Sequence, residues 1–502
     1  MAPLTGLYRH SLLLLTDLYQ LTMACGYWRT GRAAGEAVFH LYFRNAPFNS
    51  GYTVCCGLEY VVDYLSNLRL ESGDRAYLAG LTGNDGRPIF DPGFLNELEQ
   101  LKCTCDVDAI PEGTVVFPDE PLVRVRGPIW QCQILETLLL NIVNFQTLIA
   151  TKATRICSAA RGEPVLEFGL RRAQGIDGAM AASRAAFVGG CAATSNVLAG
   201  KVFGIPVKGT HAHSWVMSFD DEPAAFEAYA RALPNNAVFL VDTYDTIEGI
   251  RHAIETGRRL REMGHEMIGI RLDSGDMAYL SIEARRMLDE AGFEKAVIVG
   301  SNDLDERIID SLKQQRARIN VWGVGTRLVT AYDEPALGGV YKLGAVRPSA
   351  NQPWQLKVKV SEQIAKTTTP GMLQVRRFIG PEGFAGDMIY DQAVLGAPQG
   401  EARIIDPKDL TRQKRFPLAT PHEDLLMPIF RGGQCVYECP PIPDVRQHVQ
   451  AQLAGLHAGV KRFLNPHEYP VGLESRLHEL KTQLVIQARE RRGAATLGGS
   501  AC

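Results

Sequence analysis

The sequence predicts an α/β protein in which βα units build a buried parallel sheet, with β-rich segments at both ends of the chain. Between residues 165 and 326, short runs rich in β-branched residues alternate with amphipathic helical patterns, as is typical of parallel strands covered by helices on both faces. Each run ends in small or acidic residues. No GxGxxG pattern follows the first run, which argues against a dinucleotide-binding version of the sheet.

Six of these runs are predicted strands, and all but the last are followed by a predicted helix. They are VLEFG at 165–169, IPVKGTHAHS at 205–214, AVFLVDTYDT at 237–246, MIGIRLDSGD at 267–276, AVIVGSND at 296–303 and INVWGVGT at 319–326. A βα barrel and a doubly wound open sheet share this local pattern. The reactive residues after the strands favour the barrel, because barrel enzymes gather such residues at the strand C-termini.

The two ends of the chain differ from the middle. Residues 1–150 combine a helical pattern in TDLYQLTMACGYW with strand patterns such as AVFHLYFR. Residues 336–502 contain short strands such as GVYKLGAV and QLKVKVSE before predicted helices at 442–457 and 472–492. We therefore expect residues 151–335 to form the domain with the parallel sheet, and the two flanks to form a second, β-rich α+β domain.

The composition is that of an ordinary globular protein. Of 502 residues, 46% are hydrophobic and 22% charged, and the net charge of −3 gives no sign of a nucleic-acid partner. The apolar run SLLLL at 11–15 is too short to cross a membrane, and no signal-peptide pattern precedes it. The eleven cysteines are scattered without a zinc-binding pattern, so we expect reduced thiols and a cytoplasmic location.

RLDSGD at 271–276 places an arginine and a carboxylate after a predicted strand. Arg271 and Asp273 are two residues apart and therefore lie on the same side of an extended chain. Such a pair can hold an anionic substrate together with a metal-bound phosphate. Ser274 and Asp276 are also natural N-caps for the next helix, so a purely structural cap is the alternative.

Two further strand ends carry groups suited to phosphates or flat rings. In GVGT, the backbone of Gly323 and Gly325 and the hydroxyl of Thr326 can surround a phosphate, and the alternative is a glycine turn without a ligand. In EFGLRRAQG, Arg171 can bind a polyphosphate or simply lie on the surface at a helix entry. Phe168 can stack on a flat ring or pack in the core.

GTHAHS at 209–214 contains two histidines, His211 and His213. A metal site, as in a metal-dependent amidohydrolase on a βα barrel, needs further ligands from later strands. Between residues 214 and 421 only His252 and His265 follow, both within a helical pattern, which argues against that enzyme class. A neutral imidazole beside Thr210 is suited instead to proton transfer or to nucleophilic attack on phosphorus.

Nine motifs occur along the chain in the order LLTDLYQLTMACGYW, FHLYFRNAPFNSGYTVCCGLE, EFGLRRAQG, GGCAATSNVLAG, GTHAHS, RLDSGD, GSNDLDE, GVGT and GGVYKLGAV. In these motifs and their order the chain resembles the nicotinate phosphoribosyltransferase family, and KVSEQIAKTTTPGMLQVRRF resembles the same family more loosely. The resemblance implies a type II phosphoribosyltransferase fold, an irregular βα barrel beside a second β-rich α+β domain built from both termini.

The resemblance also implies a reaction. Enzymes of this family transfer ribose 5-phosphate from phosphoribosyl diphosphate to nicotinate, giving nicotinate mononucleotide and diphosphate in the first step of NAD synthesis from nicotinate. The transfer is coupled to ATP hydrolysis through a phosphorylated histidine and requires magnesium. The expected partners are therefore the small molecules nicotinate, phosphoribosyl diphosphate and ATP.

The matching motifs imply roles for individual residues. His213 matches the phosphorylated histidine, whereas His211 falls at a variable position without a family role. Asp273 is implied as a catalytic residue and as a candidate magnesium ligand, with Asp242 and Asp303 as further candidates. The implied nicotinate-binding residues are Tyr19, Phe168, Thr210, Arg271 and Arg171. The implied phosphoribosyl diphosphate-binding residues are Arg171, Ser274, Gly275, Gly323, Gly325 and Thr326. In the family the tyrosine comes from the neighbouring subunit, which implies a homodimer with shared active sites.

Overall fold

The computed structural model of the protein describes residues 11–71, 73–363 and 366–498, with side chains through residue 490. The chain forms two compact units. The central unit spans residues 149–335, and the terminal unit combines the described residues up to 148 with those from 336 onward.

Six parallel strands form the sheet of the central unit. In chain order they are β1 (Val165–Glu167), β2 (Ala193–Thr194), β3 (Val238–Leu240), β4 (Gly269–Leu272), β5 (Val297–Gly300) and β6 (Val321–Val324). Their spatial order is β2-β1-β6-β5-β4-β3, and every neighbouring pair is parallel. Because all six strands run in the same direction, their C-terminal ends lie at the same edge of the sheet.

Helices follow the strands of the central unit. They are Gly175–Val188, Val197–Phe203, His213–Met217, Glu222–Ala232, Thr246–Glu262, Met277–Glu290, Glu306–Gln314 and Thr326–Val329, with 3₁₀ turns at Leu170–Arg172 and Pro234–Asn236. Several begin at a side chain that accepts hydrogen bonds from the first helical N–H groups, including Asp245, Asp276 and Asp305. These caps fix where each loop after a strand ends and its helix begins.

The strand predicted at 205–214 is wrong. Val207 forms a single parallel bridge with Thr194, and the strand that pairs with β1 is Ala193–Thr194. Beyond Lys208, through the described residues 209–214, the segment forms no backbone hydrogen bonds with β3. Instead, the backbone N–H of Leu240 in β3 donates to the side-chain Nε2 of His211 over 3.2 Å. The N–H group at the exposed edge of β3 is thus satisfied without a neighbouring strand.

The terminal unit contains two large sheets. The strands of the seven-stranded sheet are, in spatial order, Gln355–Leu356, Gly339–Arg347, Glu36–Phe43, Val123–Pro128, Asp106–Ala109, Met427–Arg431 and Gln434–Cys435. Those of the six-stranded sheet are Gln413–Phe416, Ala402–Ile405, Val471–Glu474, Gly383–Asp391, Leu373–Gly380 and His422–Asp424. Thr53–Val54 pairs with Val115–Val116. Glu36–Phe43 pairs along its whole length with Gly339–Arg347, so the first sheet needs both ends of the chain.

Helices outside the central unit's βα series are Leu18–Arg29, Leu58–Ser66, Asp74–Gly80, Pro92–Glu99, Ile129–Ile134, Glu136–Ala159, Ile442–Ala454 and Ser475–Gly498, with 3₁₀ turns at Pro47–Asn49 and Ala458–Lys461. The helix predicted at 472–492 begins later than expected, because Val471–Glu474 is a strand. In QLKVKVSE only Gln355–Leu356 is a strand. Within the described ranges, each helix is too short or too polar to cross a lipid bilayer.

Candidate functional site

Side chains from several loops meet beyond the C-terminal ends of β3, β4 and β5. We call Thr210, His213, Arg271, Asp273 and Ser301 the strand-end cluster. His213 is the first residue of a short helix, and its Nδ1 lies 3.2 Å from the hydroxyl of Thr243. Its Nε2 lies 3.8 Å from Oδ2 of Asp273, which is beyond hydrogen-bonding distance. With 39% of its side chain exposed, His213 is open to a reactant.

Arg271 is held by contacts to three of the four other side chains of the cluster. Its Nε donates to Ser301 Oγ over 2.9 Å, its Nη1 to Thr210 Oγ1 over 3.3 Å and its Nη2 to Asp273 Oδ1 over 2.9 Å. Ser301 also donates a short hydrogen bond to Asp273. The guanidinium is therefore fixed in one orientation, as recognition of a planar anion requires.

A second carboxylate supports the loop after β4. Oδ2 of Asp242 accepts hydrogen bonds from the backbone N–H of Asp273 over 3.0 Å and from the hydroxyl of Ser274 over 2.6 Å. Oδ1 of Asp242 is buried and has no hydrogen-bond partner in the described part of the chain. A buried carboxylate oxygen without a donor is a suitable ligand for a hard cation such as magnesium. The cap of the next helix is Asp276, and Gly275 has a left-handed φ of +80°.

Phe168 and the glycine loop lie side by side after β1 and β6. The backbone N–H of Phe168 donates to the carbonyl of Val324 over 2.8 Å. A Cβ atom added to Gly323 would approach the Phe168 ring to 2.8 Å, so only glycine leaves room for the ring at that position. The guanidinium carbon of Arg271 is 5.9 Å from the ring centroid. Phe168 therefore belongs beside the strand-end cluster rather than in the core. Gly325 and Thr326 begin the helix Thr326–Val329.

The remaining predicted residues lie outside these contacts. Arg171 is exposed on the 3₁₀ turn Leu170–Arg172. Asp303 is exposed in the loop after β5, where it has a left-handed φ of +34°. Tyr19 belongs to the terminal unit, on the helix Leu18–Arg29, and is 47% exposed.

The structure gives no support to the amidohydrolase alternative. Within the described residues, no group of three or more His, Cys, Asp or Glu side chains is placed to hold a metal ion. His252 lies in the middle of the helix Thr246–Glu262, where its Nδ1 is 2.8 Å from Oε2 of Glu222. The several histidine ligands of such an enzyme are therefore not assembled.

Comparison with known proteins gives the family. Three family models match in sequence order: the nicotinate phosphoribosyltransferase (NAPRTase) N-terminal domain at 14–144, the nicotinate phosphoribosyltransferase (NAPRTase) family at 164–367 and the nicotinate phosphoribosyltransferase C-terminal domain at 374–481. Nicotinate phosphoribosyltransferase of Bacillus subtilis (strain 168) is 45% identical over 500 residues, covering 97% of this chain and 99% of that protein. The chain belongs to the nicotinate phosphoribosyltransferase family.

A human relative and two solved structures are also similar to this chain. The nicotinate phosphoribosyltransferase of Homo sapiens is 36% identical over 529 residues, covering 94% of this chain and 96% of that protein. A crystal structure of human nicotinic acid phosphoribosyltransferase matches with a TM-score of 0.80 at 34% identity, covering 93% of this chain and 99% of that chain. The nicotinate-nucleotide pyrophosphorylase of Pyrococcus furiosus, at 22% identity and a TM-score of 0.64, shares the fold over 88% of this chain and 95% of its own.

In this member of the nicotinate phosphoribosyltransferase family, three residues that contact the site could not be identified from the sequence. They are Glu167, Thr243 and Ser301. Glu167 is only 1% exposed and accepts hydrogen bonds from the backbone of Gly169 and from the hydroxyls of Ser183 and Thr194. It thus holds the loop that carries Phe168. Its one signal in the sequence is a carboxylate inside an apolar strand, which needs partners wherever it is buried. Thr243 and Ser301 gave no comparable signal, because hydroxyl residues are common in loops.

His211 has a structural position. It is 7% exposed, its Nε2 accepts the N–H of Leu240, and its ring packs edge-on against Tyr229 with centroids 4.8 Å apart. Burial lowers the pKa of His211 to about 4. An imidazole that accepts a backbone hydrogen bond is neutral at that nitrogen, in agreement with the direction of this shift.

We expect the protein to lose stability as the pH falls from 6.5 towards 4. The imidazole takes up a proton near pH 6.5 in the unfolded chain, whereas folded His211 stays neutral to about pH 4. The unfolded state therefore binds more protons in this window, and the stabilisation present above pH 6.5 is lost, by about 3 kcal/mol from this residue. Urea midpoints measured across the window should fall less steeply in His211→Gln, whose amide oxygen can take the place of Nε2 as the acceptor. An unchanged slope would contradict the assignment.

The terminal unit contains a second buried histidine with a lowered pKa, and its effect on stability at low pH has to be distinguished from that of His211. His40 is buried, accepts the backbone N–H of Leu373 over 3.1 Å, and has its pKa lowered by burial to about 3. His40 remains in His211→Gln, so a residual loss of stability at low pH is expected in that variant.

Proposed function

We propose that this chain is an enzyme that transfers the phosphoribosyl group of phosphoribosyl diphosphate to nicotinate, giving nicotinate mononucleotide and diphosphate. In this role it would carry out the first step of NAD synthesis from nicotinate. The observation that carries the proposal is the juxtaposition of the Arg271 guanidinium with the Phe168 ring beyond the strand ends. A pyridine carboxylate has the two features that such a pair recognises, a planar anion and a flat ring.

Nicotinate recognition is proposed to depend on Arg271, Thr210 and Phe168. Two N–H groups of the Arg271 fork can pair with the two oxygens of the carboxylate, and the hydroxyl of Thr210 lies on the same side of the guanidinium. The ring of Phe168 would hold one face of the pyridine. A neutral carboxamide cannot form the charged pair, so the acid is preferred to the amide.

Phosphoribosyl diphosphate is proposed to bind along the neighbouring loops. Gly323, Gly325 and Thr326 offer backbone N–H groups and a hydroxyl at the end of β6 to a phosphate. Ser274 and Gly275 follow β4, and Arg171 is exposed after β1. As the pyridine nitrogen bonds to the anomeric carbon, the bond from that carbon to the diphosphate oxygen breaks. Positive charge builds on the ribose and negative charge on the diphosphate, which arginine can stabilise.

ATP coupling is proposed to pass through His213. With Nδ1 beside the hydroxyl of Thr243, the Nε2 lone pair can attack the terminal phosphorus of ATP, forming the N–P bond as the bond to ADP breaks. Asp273, 3.8 Å from Nε2, would stabilise the positive charge that develops on the ring. Water later hydrolyses the phosphohistidine and releases phosphate.

Magnesium is proposed to bind next to Asp242 and Asp273. The free Oδ1 of Asp242 fits a cation better than Oδ1 of Asp273, which already accepts from Arg271 and Ser301. When bound, magnesium would neutralise phosphate charge. The protein's own contribution is to orient these carboxylates through the Asp242–Ser274 hydrogen bond.

A homodimer with shared sites is proposed because the helix that carries Tyr19 exposes an apolar face. Leu15, Leu18, Tyr19 and Met23, in or just before the helix Leu18–Arg29, are each more than 40% exposed. Apolar side chains at such spacing on one helix are typical of a subunit contact. In the proposed dimer, Tyr19 of one subunit completes the nicotinate site of the other.

Mixing two impaired variants tests the shared site. Tyr19→Ala and Arg271→Ala, each assayed at low nicotinate concentration, should have little activity. Mixed dimers formed from unfolded and refolded chains contain one site with both substitutions and one with neither. We therefore expect about a quarter of the wild-type activity to return in an equimolar mixture. Activity that stays at the average of the two variants would mean that each site is built from a single chain.

Further parts of the proposal concern fold, domains and location. We propose that the central sheet is an irregular βα barrel, supported by its parallel strand order and the Thr194–Val207 bridge. The proposed domain segments are 1–150, 151–335 and 336–502. A cytoplasmic location is supported by the free thiols of every cysteine in the described residues.

One assay tests the function as a whole. The protein is incubated with phosphoribosyl diphosphate, magnesium and either nicotinate or nicotinamide, with and without ATP, and mononucleotide is measured. Formation of nicotinate mononucleotide, with a rate that rises when ATP is added, is the expected result. No product from nicotinate under any of these conditions would overturn the proposal.

A further inference from the structure

The terminal unit contains a cavity of about 1110 Å³ for which the proposed function has no use. Its wall includes residues from the strand Glu36–Phe43, from the segment 404–414 and from the helix Ser475–Gly498. A cavity of this size is comparable to sites that hold small molecules and cofactors. No residue of the strand-end cluster contributes to it.

The charge of the cavity wall is strongly unbalanced. Among the described residues, seven lysine or arginine side chains line it, against three carboxylates. All three carboxylates are already paired, since Lys408 Nζ lies 2.7 Å from Asp119 and Arg412 forms ion pairs with Asp406 and Glu468. The wall therefore has an excess of positive charge that its own acidic residues do not neutralise.

Five of these cations lack a carboxylate within ion-pair distance in the described part of the chain, and three of the five are partly buried: Arg44, Lys342 and Lys481. Nε of Arg44 is buried and has no hydrogen-bond acceptor there. Nζ of Lys481 donates to the neutral hydroxyl of Thr369 over 3.1 Å. Partly buried cations without a carboxylate in direct contact are unfavourable unless a bound anion completes their environment.

The cations are also close enough to repel one another in two pairs. Burial lowers the pKa of Lys342, with Glu136 opposing the shift and Arg44 and Lys359 adding to it. Burial likewise lowers the pKa of Lys481, with Asp119 opposing the shift and Lys408 adding to it. One pair is thus Arg44 with Lys342, and the other is Lys408 with Lys481. Negative charge placed between the members of each pair would relieve the repulsion.

We propose that this cavity binds an anion carrying a di- or triphosphate group. A single phosphate can neutralise one pair of cations, whereas a chain of two or three phosphates carries enough charge for both pairs. The inference goes beyond the proposed function, because it rests on none of the residues of the strand-end cluster. Failure of either one leaves the other standing.

Inorganic triphosphate is the probe, because it has the shared chemistry without a base or a sugar. Isothermal titration of the full-length protein at about 0.15 M salt compares the wild type with Lys481→Gln and Lys342→Gln. The matched control is Lys102→Gln, which removes the same charge from an exposed position of the terminal unit that does not line the cavity.

Wild type and Lys102→Gln should bind triphosphate with the same Kd, and each cavity variant should bind it at least about tenfold more weakly, since each loses a hydrogen bond from a charged donor. Thermal unfolding shows whether a variant is folded; if Lys481→Gln is not, Lys342→Gln carries the test. Unchanged affinity in both cavity variants, as expected if triphosphate binds at the strand-end loops, would overturn the inference. So would an absence of binding to the wild type.

Two arms identify the source of the group. Titrations with ATP and with phosphoribosyl diphosphate are repeated on the same four proteins. A loss of affinity in the cavity variants for ATP alone assigns the cavity to a nucleotide, and a loss for phosphoribosyl diphosphate alone assigns it to a sugar diphosphate. Either result supports the inference. If the cavity variants bind both compounds with wild-type affinity, neither compound is the natural ligand, and triphosphate binding alone decides the inference.

Discussion

Arg271→Ala is expected to weaken nicotinate binding by about 100-fold, near 3 kcal/mol, because it removes two charged hydrogen bonds to the carboxylate. The affinity for phosphoribosyl diphosphate should change by less than about threefold, since the loops proposed to bind it keep their backbone donors. Equilibrium titration of each substrate separately measures both effects.

Two comparison variants sharpen this test. Arg271→Lys keeps the charge but loses the fork, so it should recover only a small part of the affinity. Arg172→Ala removes an exposed arginine near the same loops and should leave nicotinate binding unchanged. Equal losses of both substrates in Arg271→Ala would mean that the residue supports the loops generally rather than recognising the carboxylate.

His213→Ala is expected to abolish the response to ATP while leaving transfer without ATP nearly intact. Without the imidazole no phosphoryl group can be accepted, so the ATP-dependent increase in kcat/KM should disappear. Incubation of the wild type with γ-labelled ATP should give an acid-labile label on the protein, and the variant should remain unlabelled.

The neighbouring histidine provides the matched control. His211→Ala should lower stability, because the N–H of Leu240 loses its acceptor, yet it should keep both the label and the ATP response. The assignment would be reversed if His211→Ala lost the ATP response while His213→Ala kept it.

The βα rhythm could be predicted from the sequence because parallel strands buried on both faces are continuous apolar runs. It misled at residues 205–214, where IPVKG looks like a strand but makes only the bridge at Val207. The true neighbour of β1, Ala193–Thr194, has two residues and no apolar run. So short a strand is defined by its partner and not by its own composition.

The site was predictable in part for a similar reason. Arg271 and Asp273 could be placed on one side of a strand because side chains alternate along it. The hydrogen bonds that orient these two side chains could not be predicted, because Ser301 and Thr210 lie in loops 30 and 61 residues from Arg271 in the sequence. The resemblance separated His213 from His211 by motif position, but the burial of His211 and its contact with β3 could not be predicted, because Leu240 lies 29 residues away in the sequence.

The pairing of Glu36–Phe43 with Gly339–Arg347 has a consequence for how the protein is made. On the ribosome, the N-terminal strands emerge first, but the sheet they belong to cannot be completed until residue 347 has been synthesised. Every strand of the central unit lies between 165 and 324, so that unit can fold earlier. Throughout that interval, one edge of Glu36–Phe43 lacks its neighbour and is a template for aggregation. We therefore expect nascent chains that stall before residue 339 to depend on chaperones.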